Sequence, residues 1–139
     1  MFPIQAGVLQ SSVMAPLLFV LYTSDFPTTN NTATGTSADD TVILATHADP
    51  RTAAQYLQHH LNITQDWLRK WRMKINKTES VQITFMLRKG RCPPVKINNV
   101  EIPVAAVTKY LGMHLDHKLN WRDHIVMKRK HIDLKVKEL

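Results

Sequence analysis

The residues with chemical potential are concentrated in Ser37-Ala38-Asp39-Asp40-Thr41, two adjacent acids followed at once by the apolar run Val42-Ile43-Leu44-Ala45. Hard cations such as Mg²⁺ or Mn²⁺ take carboxylate oxygens, and a two-metal phosphoryl-transfer site needs carboxylates projecting from a rigid turn at the end of a sheet. The competing reading is a solvated turn, because Asp is common in turns for its own backbone hydrogen bonding.

The elements around the pair are those that would hold it still. Ala33 to Thr46 alternates as two strands folded about Asp39-Asp40, which puts the acids on a hairpin turn. Pro16 to Phe26 reads as a short helix begun by Pro16 and stopped by Pro27. Asp49 before Pro50 is an N-cap and first-turn pair. The spacing of Leu57, Leu61, Thr64, Leu68 and Trp71 then predicts a helix from Pro50 to about Arg72, with Trp67 and Trp71 in the core.

Further along, Val81, Ile83, Phe85 and Leu87 alternate with Gln82, Thr84 and Met86, the period of a strand with one buried face. Arg88-Lys89-Gly90-Arg91 makes a basic turn. Val95, Ile97, Val100 and Ile102 around Asn98-Asn99 predict a small hairpin, and Lys109 to Leu115 a strand or tight hairpin interrupted by Gly112. From Trp121 a helix is expected, with Ile125, Ile132, Val136 and Leu139 on one side and Lys128, Arg129, Lys130, Lys135 and Lys137 largely on the other.

The 139 residues fit one domain. Their net charge of +7 is unevenly spread: residues 1–50 carry no Lys or Arg and four Asp, giving −4, and residues 51–139 give +11. A polyanion would be drawn to the second part while the Asp pair presents a cation to its phosphates. The single cysteine, Cys92, can form no internal disulfide and points to a reducing, intracellular setting. His59-His60, in a helical stretch, and His114 with His117 lack partners at zinc-ligand spacing, so solvated or capping roles are expected. The longest apolar run, Leu17 to Tyr22, is far short of the roughly 20 residues a membrane helix needs, and no membrane partner is expected.

Four blocks, taken in order, resemble the reverse transcriptase of non-LTR retrotransposons, closest in character to jockey-like elements. Gly7-Val8-Leu9-Gln10-Ser11-Ser12-Val13-Met14-Ala15-Pro16-Leu17-Leu18-Phe19 is similar to the family's GVPQGSVLGPLLF segment. Ser37-Ala38-Asp39-Asp40-Thr41 is similar to its FADDT block. Leu68 to Asn76 resembles the stretch ending in KIN, and Lys109-Tyr110-Leu111-Gly112-Met113-His114-Leu115-Asp116 resembles KYLGIHLD.

The resemblance implies an α+β fold, a C-terminal palm fragment with an antiparallel sheet backed by helices. Residues 1–117 would be partial palm and 118–139 the start of a helical thumb. Asp39 and Asp40 would be catalytic and bind Mg²⁺ or Mn²⁺; Gly7 and Gln10 would line nucleotide and template; Tyr110, Leu111 and Gly112 would grip the primer. An RNA template, a DNA primer and nucleoside triphosphates are the implied partners. The family's other metal-binding Asp falls upstream of this chain, so a separate palm and fingers polypeptide is a further expected partner and the isolated chain is expected to be inactive.

The chain departs from the pattern at Leu9, Ser11 and Ala15, at Glu79 in place of a Lys, and at Ser37, where the family has an aromatic expected to pack beneath the turn. Ala15, at the expected N-cap, is a poor cap. The alternative function is a non-enzymatic, basic nucleic-acid-binding remnant; a third reading is a chain that does not fold stably alone.

Overall fold

The computed structural model describes residues 12–86 and 91–137. The elements are α1 (Ala15–Tyr22), β1 (Thr32–Ser37), β2 (Asp40–Ala45), α2 (Pro50–Lys70), β3 (Lys96–Ile97), β4 (Val100–Glu101), β5 (Val107–Tyr110), β6 (Met113–Asp116) and α3 (Arg122–Lys137). Mixed helices and small antiparallel sheets make the fold α+β. Among the described residues the strands form three separate two-stranded sheets, β1-β2, β3-β4 and β5-β6, rather than one backed sheet.

α2 organises the interior. Asp49 caps it by accepting from the Thr52 N–H at 2.9 Å, and Pro50 starts it without wasting a donor. Of the expected stripe, Leu61 and Thr64 are buried and Leu57, Leu68 and Trp71 half-buried; Trp67 is in the core as expected, and Ala54 joins it. Ala54 and Leu61 pack with Val95 and Ile97, and Ile43, Leu57, Ile75, Cys92 and Ile102 close around them. Burying a side chain of the Val, Leu or Ile type stabilises by about 1.5–3 kcal/mol.

The C-terminus of α2 turns sharply. Met73 N–H donates to the Leu68 carbonyl at 2.9 Å and Arg72 N–H to the Arg69 carbonyl at 3.2 Å, with Arg72 at φ 56°. This is a Schellman closure in which arginine occupies the left-handed position that glycine normally fills.

Aromatic contacts fasten α1 and the loop after it to α2. Tyr22 meets Trp71 edge-on, ring centroids 4.6 Å apart, and its hydroxyl donates to the Trp71 carbonyl at 2.8 Å. Phe26 meets Trp67 at 5.1 Å, and the Trp67 indole N–H donates to Asp25 at 3.0 Å. Asp25, though exposed, thereby anchors the loop after α1 to α2. Helix α1 is shorter than expected, ending at Tyr22, and Met14 is its N-cap without a side-chain bond. The Ser12 hydroxyl accepts from the Ala15 N–H at 3.1 Å in its stead.

The expected strand at 81–87 does not form within the described residues. Gln82 alone makes an isolated parallel bridge to Val104, and the anticipated faces are reversed: Gln82 is 5% exposed while Val81 is 42% exposed. Gln82 Oε1 accepts from the Val95 N–H at 2.9 Å and its amide donates to the Pro93 carbonyl at 3.1 Å. A buried amide with both ends paired outranks alternating hydrophobicity here. Of the expected basic turn, 88–90 lie outside the described residues, as does Leu87.

Helix α3 does not bury its apolar side; Ile125, Ile132 and Val136 are each at least 60% exposed. No residue of α1 is buried either, and the chain has 11576 Å² of accessible surface. A compact monomer of 15.9 kDa exposes roughly 7,400 Å².

Candidate active-site hairpin

β1 and β2 pair from Thr32↔Ala45 to Ser37↔Asp40, leaving Ala38 and Asp39 as a two-residue loop. Asp39 thus sits at the tip, and Asp40 is the first residue of β2. Val42 and Ile43 supply the β-branched pair a strand favours. At Gly35 the strands approach closely: an added Cβ would lie 3.2 Å from Val42 Cγ1, and that side chain would have to give by a few tenths of an ångström. Ala38 has φ 51°, a left-handed conformation that costs an L-residue roughly 1–2 kcal/mol.

Period two divides the hairpin into faces. Thr32, Thr34 and Ile43 share the face packed on α2, while Asp40 shares the opposite face with Val42 and Leu44. Both acids are exposed, and among the described residues neither forms an ion pair. Ser37 is exposed as well, so the missing aromatic leaves no buried cavity, contrary to the expectation of a ring packed beneath the turn.

His60 on α2 holds the base of this hairpin. It is fully buried, and Nδ1 lies 2.5 Å from Thr32 Oγ1 and 3.3 Å from Thr29 Oγ1, which are themselves 2.6 Å apart. Burial pushes the imidazole pKa down; the Pro27 carbonyl pulls the other way, and His59 adds a small repulsion. Nε2 is buried and has no hydrogen-bond partner among the described residues. The solvated or capping role expected for His60 is therefore corrected: it is buried in the middle of α2. Its phase was a usable signal, three residues after Leu57 and four before Thr64, in the buried stripe.

Tyr110, Leu111 and Gly112 lie on the β5–β6 hairpin, where Leu111 and Gly112 form the loop with φ 46° and 79°. Asp116, at the end of β6, accepts from the N–H groups of Lys118 at 2.8 Å, Asn120 at 3.2 Å and Trp121 at 3.1 Å. Burial raises its pKa, but these backbone donors outweigh it and the net direction is down. The same loop delivers His124, whose Nδ1 accepts from the His114 N–H at 3.2 Å and ties α3 to β6.

The two candidate hairpins share no contact, so the acids and the Tyr110–Gly112 turn are not brought together. Gly7 and Gln10 lie outside the described residues. No group of three or more His, Cys, Asp or Glu able to hold a metal occurs among the described residues. The donors present are nonetheless of the right kind: two adjacent carboxylates suit a hard cation that keeps several waters and takes phosphate oxygens as its remaining ligands. No helix among the described residues is long and apolar enough to cross a membrane.

The family described as reverse transcriptase (RNA-dependent DNA polymerase) matches residues 1–115. The chain is 37% identical over 131 residues to the RNA-directed DNA polymerase from mobile element jockey of Drosophila melanogaster, covering 88% of this chain and 14% of that protein. It is 33% identical over 138 residues to the probable RNA-directed DNA polymerase from transposon X-element of the same species, covering 96% and 15%. The jockey polymerase of Drosophila funebris is 36% identical over 132 residues, with 88% and 14% covered. The chain thus spans about one-seventh of the length of these relatives. No solved structure matches it.

Proposed function

Because the chain belongs to the reverse transcriptase family, in its jockey-like, non-LTR branch, we propose that it is a stretch of polymerase palm in which Asp39 and Asp40 hold Mg²⁺ or Mn²⁺ for RNA-directed DNA synthesis. The observation that carries this reading is the closed hairpin that presents both carboxylates, exposed, at its tip. Its base is fixed to α2 through His60 and Thr32, so the acids project from a defined position.

In this reading residues 1–117 are palm and 118–139 begin a thumb-like helix. Gly7 and Gln10 line nucleotide and template, and the Tyr110-Leu111-Gly112 turn positions the primer end. The reaction joins a DNA primer 3′-hydroxyl to the α-phosphate of a nucleoside triphosphate on an RNA template, releasing pyrophosphate. The chemistry a divalent ion supplies there is electrostatic, stabilising the attacking and leaving oxygens. The chain's own acids position that charge, and an upstream palm and fingers segment contributes the remaining carboxylate.

A second reading, a basic nucleic-acid-binding module without catalysis, is favoured by one observation: Lys128, Arg129, Lys130 and Lys135 are all exposed on α3. Anisotropy of a labelled RNA–DNA hybrid, with and without Mg²⁺ at constant ionic strength, separates the two. The polymerase reading expects Mg²⁺ to strengthen binding by wild type and not by Asp39→Asn/Asp40→Asn. Salt-sensitive binding indifferent to Mg²⁺ in both proteins supports the second reading and overturns the first.

A further inference from the structure

Two helices present apolar faces that the described residues leave uncovered. Val13, just before α1, and Leu17, Val20 and Leu21 within it recur at helical spacing, and all four are more than half exposed. On α3, Ile125, Ile132 and Val136 form a second exposed stripe. Among the described residues α1 packs on no other helix or strand, α3 packs on β6 alone, and the two helices do not touch. We propose that these faces are the two halves of one interface with a second copy of this chain: α1 of each copy lies along α3 of the other, closing a two-fold dimer. The inference goes beyond the polymerase reading and uses neither Asp39, Asp40 nor a nucleic acid.

Charge selects this pairing. The sequence of α3 holds six basic and two acidic residues, so two copies of α3 laid side by side repel. α1 has no charged residue, and residues 1–50 carry four Asp and no Lys or Arg. Laid on α3, α1 meets the Ile125, Ile132 and Val136 stripe with aliphatic surface and brings no positive charge. Lys128 and Arg129, exposed beside the stripe, extend their charged ends to the rim while their stems add apolar contact. Pairing α1 with α1 would leave α3 bare; the crossed arrangement covers both faces, and two-fold symmetry makes each contact twice.

The area is sufficient. The accessible surface of 11576 Å² exceeds the roughly 7,400 Å² of a compact monomer of 15.9 kDa by several times the roughly 800 Å² per partner that a standard interface buries. Each helix is also fixed at one end before a second copy arrives. The Tyr22 hydroxyl donates to the Trp71 carbonyl at 2.8 Å, and the His114 N–H donates to His124 Nδ1 at 3.2 Å. Faces held in this way lose less freedom on docking.

Sedimentation velocity of the whole chain over a concentration series tests the proposal and should show a species of twice 15.9 kDa. Leu17→Lys/Val20→Lys sets like charge against α3 and should weaken the dimer at least about tenfold, with an unchanged circular dichroism spectrum because both positions are exposed. Thiol cross-linking in a Cys92→Ser background reads the orientation: a mixture of Val20→Cys and Ile132→Cys chains should form the disulfide-linked heterodimer in preference to either homodimer. A monomer at every concentration, growth beyond the dimer, a dimer undiminished by the two lysines, or cross-linking as fast in the Val20→Cys chain alone as in the mixture overturns the proposal.

Discussion

His60 Nδ1 and Thr32 Oγ1 lie 2.5 Å apart, joining the middle of α2 to the first residue of the strand that leads to Asp39 and Asp40. A neutral, buried imidazole at this joint couples hairpin stability to pH. Its folded pKa lies below the ordinary histidine value of 6.5, so the unfolded chain takes up a proton that the folded chain resists. Stability is therefore full above about pH 6.5 and falls as pH drops below that value. Thermal melts across this range should show the decline in wild type and a flatter profile in His60→Gln.

Gln82 is the second joint that stability depends on. Gln82→Ala strips the Val95 N–H and the Pro93 carbonyl of their partners in a buried setting, costing about 1–3 kcal/mol. Denaturant unfolding of the variant measures it, and Gln82→Leu should fare no better, since it fills the space and still leaves both groups unpaired.

Two residues with positive φ are open to improvement. Ala38→Gly at the hairpin tip and Arg72→Gly at the end of α2 should each raise stability by about 1 kcal/mol, because glycine meets no Cβ conflict there. Melting temperatures report it, and cation binding at Asp39 and Asp40 should persist in both variants.

Asp116 holds the passage into α3 by accepting from three backbone donors. Asp116→Ala should speed amide exchange at Lys118, Asn120 and Trp121 while leaving the α2 core protected. Because the carboxyl pKa is depressed from 3.8, the contribution is present above that value and lost as pH falls through the folded pKa.

The features legible in the sequence are those decided by neighbours along the chain. Asn98 and Asn99, with φ of 49° and 62°, form the turn their residue type announces, and Asp49 with Pro50 starts α2 where expected. The Asp39-Asp40 hairpin follows from alternation on either side of a polar pair. What was missed depends on distant partners. Gln82 is buried because Val95, Pro93 and Val104 meet it, and nothing within its own alternating stretch signals them. His60 is buried where Thr32, at the start of β1, and Thr29, in the loop before it, meet it from 28 and 31 residues away. The single sheet was expected from resemblance, and alternation does not say which strands will pair. The site was legible as a local constellation; its support on α2 was not.

The most direct test of the central claim, that Asp39 and Asp40 form a divalent-cation clamp, is paramagnetic broadening by Mn²⁺ in the ¹⁵N spectrum of the whole chain. Saturable broadening at the Ser37–Thr41 amides, relieved by excess Mg²⁺ and lost in Asp39→Asn/Asp40→Asn with the remaining spectrum intact, is the predicted result. Absence of broadening at the hairpin, or equal broadening in the double variant, would contradict it.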